Sequence, residues 1–452
     1  MRTCPEDGEE QMPMSIRTLS GPLRVLTFFL AFNITAVWAL ASLTAPRGSP
    51  SNLSTTRRTF TLDTGGDSWN AMGKAIAYLR SDKNSGNVYT EMLQVRVLKF
   101  QYPLSSLIPF EGLRVIARYF GLDFRRFMAV IGWLWMIGLI ACCTALLDRL
   151  APKREQIIIQ IGLVTLAALT FYPLTRGYTL GQIQIWINTL FAGALLAWAA
   201  SRKVLAGVLI GLASLLKPHY AFFVLWAAVR REWGFTIACL LTGLLGLGVA
   251  LAIFGVSNNL DYLNALSLFS ERGESYHANQ SVNGILNRII GLWDPALYNN
   301  LVGSDVFPPY TPLVYYGTFV TSATLLFMVL AMRHSDTVID FCIGGLGLTM
   351  ASPIAWEHHY GILLPIYVVA FARLFDSRSA LLLLAFSYAL TSNLWSGTNF
   401  LATTAFNFMQ AYVFMGALLL LLLLVLTTEA DHSVTRIEKT GGDDNPMMGR
   451  IA

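Results

Sequence analysis

Long apolar runs are the feature that most limits how this chain can fold. Runs of about 20 apolar residues recur from Pro22 to Thr428, and each is long enough to cross the hydrocarbon core of a bilayer as an α-helix. Only 13% of the residues are charged, which is about half the share found in soluble domains. The sequence therefore predicts an all-α polytopic membrane protein.

The apolar runs define about twelve candidate transmembrane segments. They are 22–45, 125–148, 156–174, 181–200, 203–216, 218–230, 233–256, 311–332, 337–351, 359–375, 379–394 and 405–427. The fifth and sixth are each too short to cross a bilayer alone, and they meet at Lys217-Pro218. Because proline lacks a backbone donor and its ring clashes with the preceding turn, a break is expected there. We predict a hairpin that leaves one side of the membrane and returns to it.

Basic residues in short connections indicate how the segments are oriented, since cytoplasmic loops are enriched in Lys and Arg. With the N-terminus inside, alternate connections hold Arg149, Lys153, Arg154, Arg202, Lys203, Arg230, Arg231, Arg333, Arg373 and Arg378. This predicts a cytoplasmic N-terminal tail (1–21), a transmembrane domain (22–428) and a disordered cytoplasmic tail (429–452). Two long external loops, 46–124 and 257–310, follow from the same topology. Within the first, DSWNAMGKAIAYLR and LIPFEGLRVIARYFG have the amphipathic pattern of helices that lie in the membrane interface.

Uncommon polar side chains gather at the predicted outer ends of the helices. They are Asp63, Asp67, Arg176, Gln182, Lys217, His219, Asn279, Gln280, Asn283, Glu357, His358 and His359. An ionisable group at membrane depth costs about 2.5 kcal/mol or more, so such groups usually line a polar cavity or a functional site. We therefore predict one extracytoplasmic site that contains these residues.

Several of these residues also have a purely structural interpretation. Asp67 follows two glycines and precedes a helical pattern, which is typical of an N-cap. Gln182 is also compatible with hydrogen bonding between packed helices. The Lys217 side chain is also compatible with extending along apolar surface to place its charge at the membrane–water interface. Adjacent histidines cannot face the same way on a helix, so one of His358 and His359 is equally compatible with bonding a backbone carbonyl.

The residue types favour phosphate chemistry over metal chemistry. Arg, Lys and His together suit a bound phosphate, and a carboxylate suits proton abstraction. His358 and His359 lack the i, i+4 spacing that presents two imidazoles to zinc, and the five cysteines show no metal-ligand spacing. No metal or other cofactor is predicted. The net charge of +5 comes from basic residues at helix ends, so no nucleic-acid partner is predicted either.

Five stretches in this order resemble glycosyltransferase family 87, a family of integral membrane mannosyltransferases of the GT-C architecture. The stretches are YPLSSLIPF, GQIQIWIN, AGVLIGLASLLKPHYAFFVLWAAVRREW, NQSVNG and SPIAWEHHYGILLP. The resemblance extends from about residue 20 to 425, with an acidic motif after the first helix. The tyrosine usual one turn after the family's acidic residue is Ala71 here.

The resemblance implies a GT-C-type bundle with interfacial helices in the first external loop. It also implies inverting transfer of a sugar, mannose in the family, from a polyprenyl-phosphate donor to a hydroxyl of a glycan or glycolipid acceptor. The reaction would take place in the bilayer, at the periplasmic face of the bacterial cytoplasmic (inner) membrane. Asp67 matches the family's general base, with Asp63 as the reserve candidate.

The other polar residues receive roles from this hypothesis. The donor phosphate would be bound by Lys217, Arg176, His358 and His359. The sugar and acceptor hydroxyls would be bound by Glu357, Gln182, His219, Asn279, Gln280 and Asn283.

Two other functions remain compatible with the sequence. A polymerase or ligase of lipid-linked polysaccharides would also have about twelve spans and a large outer loop. A transporter would also be polytopic, but transporters tend to have two related halves with equivalent broken helices, and only one broken segment is evident here. The acidic motif in the first external loop favours the glycosyltransferase.

Overall fold

The computed structural model describes residues 21–46, 49–150, 156–292 and 307–440, with side chains described as far as residue 427. Apart from residue 21, the predicted N-terminal tail lies outside the described residues. So do residues 293–306 of the second external loop and residues 441–452 of the predicted C-terminal tail. The described residues are mostly helical and contain no β-strand, only an isolated bridge between Asn279 and Trp356.

Seven helices make up the first part of the chain. Helix α1 (Gly21–Thr44) includes a π-helical turn, and short helical turns lie at Val88–Thr90, Glu91–Val95 and Leu104–Ser106. The others are α2 (Asn52–Phe60), α3 (Asp67–Leu79), α4 (Leu107–Tyr119), α5 (Phe124–Leu150), α6 (Ile157–Thr170) and α7 (Tyr172–Leu180).

Eleven further helices follow, with 3₁₀ turns at Glu357–Ile362, Ser396–Leu401 and Asn407–Ala411. They are α8 (Gln184–Ala199), α9 (Lys203–Leu216), α10 (Pro218–Val229), α11 (Trp233–Phe254), α12 (Val256–Arg272), α13 (Val282–Gly291), α14 (Pro312–Ala331), α15 (Thr337–Met350), α16 (Leu363–Leu374), α17 (Arg378–Thr391) and α18 (Tyr412–Thr440). The backbone of residues 429–440 thus continues α18 into the segment predicted to be a disordered tail.

Five helical segments of the described chain are long and apolar enough to cross a membrane, or six if α6 and α7 count as one bent span. The five are Gly21–Thr44, Phe124–Leu150, Trp233–Phe254, Pro312–Ala331 and Asn407–Thr427. Among the other predicted spans, α8, α9, α10, α15 and α17 are apolar but shorter than the length needed to span alone. The sequence therefore predicted where the apolar helices lie. Several of them are shorter than a helix that crosses a bilayer alone.

The predicted span 156–174 is not one helix. Helix α6 ends at Thr170, and α7 leaves it at an angle of 61°. Phe171 between them is extended, with φ −82° and ψ 104°, and Pro173 lies in the first turn of α7. Because proline favours the first turn of a helix, where its missing N–H needs no partner, a new helix begins here and the chain bends at Phe171.

The chain reverses direction at Lys217-Pro218, as the charge pattern requires. Gly207 of α9 lies against Phe235 of α11, and Gly211 lies against Thr242. The contact positions advance together along both helices, so α9 and α11 run parallel. At the start of both helices, Lys203 Nζ lies 3.3 Å from Glu232 Oε1. Helix α10, which connects them, must therefore return to the end from which α9 began.

The basic helix ends meet at one end of the bundle. Arg230 forms a buried ion pair with Asp340, and its Nη2 donates to the Met332 carbonyl at 2.6 Å. Two hydrogen bonds to carbonyls join further helix ends: Arg149 Nε donates to the Ala199 carbonyl at 3.0 Å, and Trp198 Nε1 donates to the Thr337 carbonyl at 2.8 Å. An ion pair of 2.8 Å between Arg373 and Asp336 joins the end of α16 to the start of α15. The opposite ends of α8, α9 and α15 converge on a second, polar region.

Candidate active site

A cavity of about 670 Å³ occupies this second end of the bundle. Its walls come from α3, from the segment 98–102 and from the start of α10, with the ends of α12 and α15 and the segment 351–359 closing it. Six of the predicted site residues line it: Asp67, Gln182, Lys217, His219, His358 and His359. The remaining walls are largely apolar. The structure thus brings together one carboxylate and several basic side chains from distant parts of the sequence.

Asp67 begins α3 and is positioned by glycines. Gly65 N–H donates to the Thr179 carbonyl at 2.9 Å, so the chain before Asp67 lies directly on the end of α7. Gly181 has φ +73°, and a Cβ there would collide with the Gly65 backbone. Only glycine allows this approach without strain. The N-cap of α3 is Gly66, so the N-cap role considered for Asp67 belongs to its neighbour.

The side-chain amide of Gln182 contacts the Asp67 carboxylate. Gln182 Oε1 accepts hydrogen bonds from the hydroxyls of Ser68 and Tyr102, both at 2.8 Å. Because two hydroxyls donate to the amide oxygen, the amide nitrogen faces the other way and donates to Asp67 Oδ2. Burial, and next the charge of Asp67, raise the pKa of the Tyr102 phenol. Tyr102 therefore stays protonated and continues to donate.

Lys217 brings a positive charge to the cavity. Its backbone is extended, with φ −142° and ψ 107°, as expected for a residue before proline. Lys217 Nζ donates to Gln184 Oε1 at 2.7 Å, and Gln184 Nε2 donates to Asn188 Oδ1 at 2.8 Å. Within the described part of the chain, Lys217 forms no ion pair with a carboxylate. A half-buried cation without a counter-ion favours an anionic ligand.

Three histidines line the cavity with Lys217. His359 Nδ1 accepts a hydrogen bond from the Trp356 backbone N–H at 3.1 Å, so the proton of the neutral ring lies on Nε2. The rings of His358 and His359 are nearly perpendicular, with centroids 4.7 Å apart. The buried Nε2 of His219 has no hydrogen-bond partner among the described residues. The two adjacent histidines thus both contribute to the cavity, although one also bonds to the backbone.

Asp63, the reserve acidic candidate, does not line the cavity. Its carboxylate is exposed and accepts from Arg58 Nε at 2.7 Å, with Arg125 Nη2 at 3.5 Å. The hydrogen bond from Arg58 lowers the pKa of Asp63. A carboxyl group of lowered pKa that is already paired with two guanidinium groups is a weak general base.

Glu357 and Arg176 lie behind the cavity wall rather than on it. The buried Glu357 carboxylate accepts hydrogen bonds from the hydroxyls of Tyr172 and Tyr412, both at 2.9 Å. Tyr172 and Glu357 are also the main electrostatic partners of Arg176. Both oxygens of Glu357, which was predicted to bind sugar or acceptor hydroxyls, thus bond to tyrosines at the starts of α7 and α18.

Of the four amides predicted to bind sugar or acceptor, only Gln182 lines the cavity, and Asn279, Gln280 and Asn283 do not. Asn279 Nδ2 donates to the carbonyls of Glu274 and Pro353 at 2.9 and 3.2 Å. Asn283 Oδ1 accepts from the Glu274 backbone N–H at 3.1 Å. Gln280 is fully buried, and its side-chain amide bonds to four backbone groups. The three side chains connect the segment 273–284 to its neighbours and hold the cavity wall from behind.

Replacing Gln280 by Ala is expected to lower stability rather than substrate affinity. Its Nε2 donates to the carbonyls of His277 and Gln410, both at 2.8 Å, and its Oε1 accepts from the N–H groups of Val413 and Phe414 at 3.1 and 3.4 Å. Leaving these buried groups unsatisfied should cost about 2–4 kcal/mol. Thermal unfolding of the purified variant would measure the loss. An unchanged melting temperature would contradict this structural role.

Sequence reasoning missed a buried ion pair beside the cavity. Lys99, which lines the cavity, lies 2.8 Å from Glu274 Oε1, and Trp356 Nε1 donates to Glu274 Oε2 at 2.5 Å. Lys99 and Glu274 are separated by 175 positions, so no local pattern could connect them. Tyr102 was missed as a site residue although it belongs to the stretch YPLSSLIPF. Among the described residues, no three His, Cys, Asp or Glu side chains are grouped as metal ligands.

Two curated relatives match the chain in sequence. Both are described as polyprenol-phosphate-mannose-dependent alpha-(1-2)-phosphatidylinositol pentamannoside mannosyltransferases. The protein from Mycolicibacterium smegmatis is 27% identical over 293 residues, which is 62% of this chain and 62% of the relative. The protein from Mycobacterium tuberculosis is 25% identical over 289 residues, which is 63% of this chain and 61% of the relative. The match therefore spans somewhat less than two thirds of these relatives.

A solved structure, ArnT from Cupriavidus metallidurans in the apo state, aligns over 88% of this chain and 77% of its own with 12% identity. The TM-score is 0.28, too low to support an argument about the fold or the site. The pattern of glycosyltransferase family 87 matches residues 100–353, a range that includes Gln182, Lys217 and His219 but not Asp67, His358 or His359. Because this match covers more than half of the chain, the chain belongs to glycosyltransferase family 87.

Proposed function

We propose that this protein transfers a mannosyl group from a polyprenyl-phosphate donor to a hydroxyl group of a glycolipid acceptor. The observation that supports this most is the cavity itself. It has the Asp67 carboxylate on one wall and, on another, the Lys217 ammonium, which forms no ion pair within the described residues. A carboxylate and an uncompensated cation in one cleft fit a reaction that removes a proton and releases a phosphate. The curated relatives are named for the same donor.

In this mechanism Asp67 is the general base. The acceptor hydroxyl attacks the anomeric carbon of the donor while Asp67 takes the hydroxyl proton. The new C–O bond forms as the bond to the phosphate oxygen breaks, so the anomeric configuration inverts in one displacement. The hydrogen bond from Gln182 holds the Asp67 carboxylate in place at the cavity wall.

The basic side chains stabilise the leaving group. As the anomeric bond breaks, the lipid phosphate gains negative charge, and a preorganised cation stabilises that charge most in a water-poor site. Lys217 provides the full charge, while His358 and His359 provide ring N–H donors. His219, whose Nε2 has no partner within the described residues, is placed to meet either the phosphate or the sugar.

The membrane arrangement is also part of the proposal. About twelve helical segments cross or enter the bilayer, with the basic ends of α5, α9 and α16 in the cytoplasm. The cavity then faces the periplasm in the bacterial inner membrane, and α3 and α4 lie in the interface. Each of the shorter helices α8, α9, α10 and α15 has one end at the cavity. A lipid head group can therefore contact side chains at these helix ends.

Turnover with defined substrates tests the proposed function. Purified protein in nanodiscs would be incubated with synthetic polyprenyl-phosphate mannose and a mannosylated phosphoinositide, and the products analysed by mass spectrometry. We expect one hexose to be added to the acceptor, with inverted anomeric configuration and release of the polyprenyl phosphate. Transfer only from a lipid diphosphate would favour a polymerase or ligase, and absence of transfer from either donor would refute the proposal.

Changing Gln182 to Glu should shift the pH dependence of the reaction. The substitution keeps the shape of the side chain but places a second carboxylate against Asp67. Because two neighbouring carboxylates oppose each other's ionisation, the acidic limb of the pH profile of kcat should move to higher pH. A Gln182→Glu enzyme with the wild-type profile would show that Gln182 does not position the base.

A further inference from the structure

A second groove lies beside the proposed active site, on a neighbouring face of the helix that begins with Asp67. Asp67 and Ala71 of α3 face the first cavity. Asn70, Gly73, Lys74 and Ala77 of the same helix line a groove of about 630 Å³ between α3, α4 and the start of α5. The groove extends to Gly65 and Gly66, so it ends at the backbone that positions the proposed base.

The groove is basic. Its lining contains Lys74, Arg114 and Arg125 and no acidic residue. Arg114 is paired with Glu111, and Arg125 with Asp63; both acids lie outside the lining. Lys74 is exposed and forms no ion pair among the described residues. The positive side chains at this groove favour an anionic ligand.

The wall of the groove is aromatic. Trp69 is stacked on Phe110 with ring centroids 6.0 Å apart and an angle of 5° between the planes. Phe110 in turn contacts Phe124 edge to face, with centroids 5.6 Å apart. Because Trp69 and Phe110 are buried, these rings form a rigid apolar floor beside the basic groups, which suits an amphiphilic ligand that carries a phosphate.

The adjoining helix indicates that the ligand comes from a membrane. Helix α4 exposes Val115, Ile116 and Tyr119 on its surface and holds Arg114 at the groove. An apolar surface beside basic residues is typical of a helix at the level of lipid head groups. A free phosphate would gain nothing from this surface, whereas a phospholipid would place its acyl chains there and its phosphodiester at the basic side chains.

We propose that this groove binds the phosphodiester head group of an anionic phospholipid acceptor, and that it directs the acceptor's glycan across Gly65-Gly66 to Asp67. The inference rests on the proposed function in one respect, the glycolipid acceptor. It adds a site, separate from the donor cavity, that selects acceptors by their lipid phosphate. The groove would lower the acceptor KM without taking part in the chemical step.

Two substitutions test the groove by different means. Lys74→Glu reverses its unpaired charge, and Gly73→Leu fills it. A Cβ at Gly73 would meet no atom within 4 Å, so Gly73→Leu should fold and also favours the helix. Lys83→Glu is the matched control, because Lys83 is also exposed on the first external segment but lies outside the groove.

The first measurement compares two acceptors. For a mannosylated phosphoinositide, Lys74→Glu and Gly73→Leu should raise KM by roughly tenfold or more, whereas Lys83→Glu should leave it unchanged. For uncharged octyl mannoside, all three variants should match the wild type. An equal loss with both acceptors, or no loss with either, would overturn the groove proposal.

The second measurement does not depend on turnover, so it separates failure of the groove from failure of the proposed function. Binding of dioctanoyl phosphatidylinositol to the purified protein would be compared with binding of dioctanoylglycerol and of inorganic phosphate. We expect the phospholipid to bind most tightly and Lys74→Glu to weaken it by about tenfold. Equal binding of dioctanoylglycerol or inorganic phosphate, or wild-type affinity in Lys74→Glu and Gly73→Leu, would overturn the inference even in an active enzyme.

Discussion

Asp67→Asn is expected to lower kcat by about 10²–10⁴-fold, the range typical for removing a general base. Asn has the same shape and keeps a side-chain oxygen that accepts the hydrogen bond from Gln182, so the local structure should persist. Donor binding should change little, because the phosphate ligands lie on another wall of the cavity. Single-turnover transfer from polyprenyl-phosphate mannose, measured beside donor binding, would distinguish loss of chemistry from loss of substrate.

Asp63→Asn is the matched control for this experiment. It removes the same charge only four positions earlier, but from a carboxylate that is exposed and paired with Arg58 and Arg125. We expect its kcat to remain within about twofold of the wild type, since exposed ion pairs contribute little. If Asp63→Asn lost activity and Asp67→Asn kept it, the roles assigned to the two residues would be wrong.

Lys217→Gln should have an effect of similar size through a different step. Removing one preorganised group that stabilises a developing negative charge typically costs about 10²–10³-fold in rate. Because the lipid phosphate is already anionic in the bound donor, donor affinity should fall as well as kcat. The break between α9 and α10 should persist, because Pro218 is unchanged.

The control for Lys217 is Lys83→Gln, which removes an exposed lysine that forms no ion pair within the described residues. Lys217→Arg offers a further distinction: it retains the charge and should recover donor binding at least in part. A Lys217→Gln enzyme with unaltered donor affinity would exclude Lys217 as a phosphate ligand.

The positions of the apolar helices could be predicted well from sequence. A bilayer admits long apolar segments only as helices with their own hydrogen bonds satisfied, so composition alone indicates where they are. Proline chemistry likewise predicted the break at Lys217-Pro218, and the pattern of basic residues predicted that the chain reverses there. The bend at Phe171 could have been predicted as well, because Pro173, two residues later, favours the start of a new helix.

Part of the lining of the candidate cavity was predicted from the sequence. Side chains at the ends of apolar helices were recognised as unusual, and Asp67, Lys217 and the histidine pair do line one cavity. The pattern could not separate them from Asn279, Gln280 and Asn283, which hold backbone segments together. Polar residues in a membrane protein stand out whether they bind a ligand or satisfy buried backbone groups, and the sequence does not distinguish these two uses.

Local chemistry along the chain accounts for the helical class, for the reversal between α9 and α10 and for the identity of the acidic and basic side chains at the candidate site. Contacts between distant segments account for the rest: the docking of Gly65 on α7 that positions Asp67, the burial of Glu357 between two tyrosines, and the pairing of Lys99 with Glu274. Helix formation depends on neighbours three or four positions away, and so it can be read from a short window. Which side chains face a shared cavity depends on how the helices pack, and packing is decided by the whole chain at once.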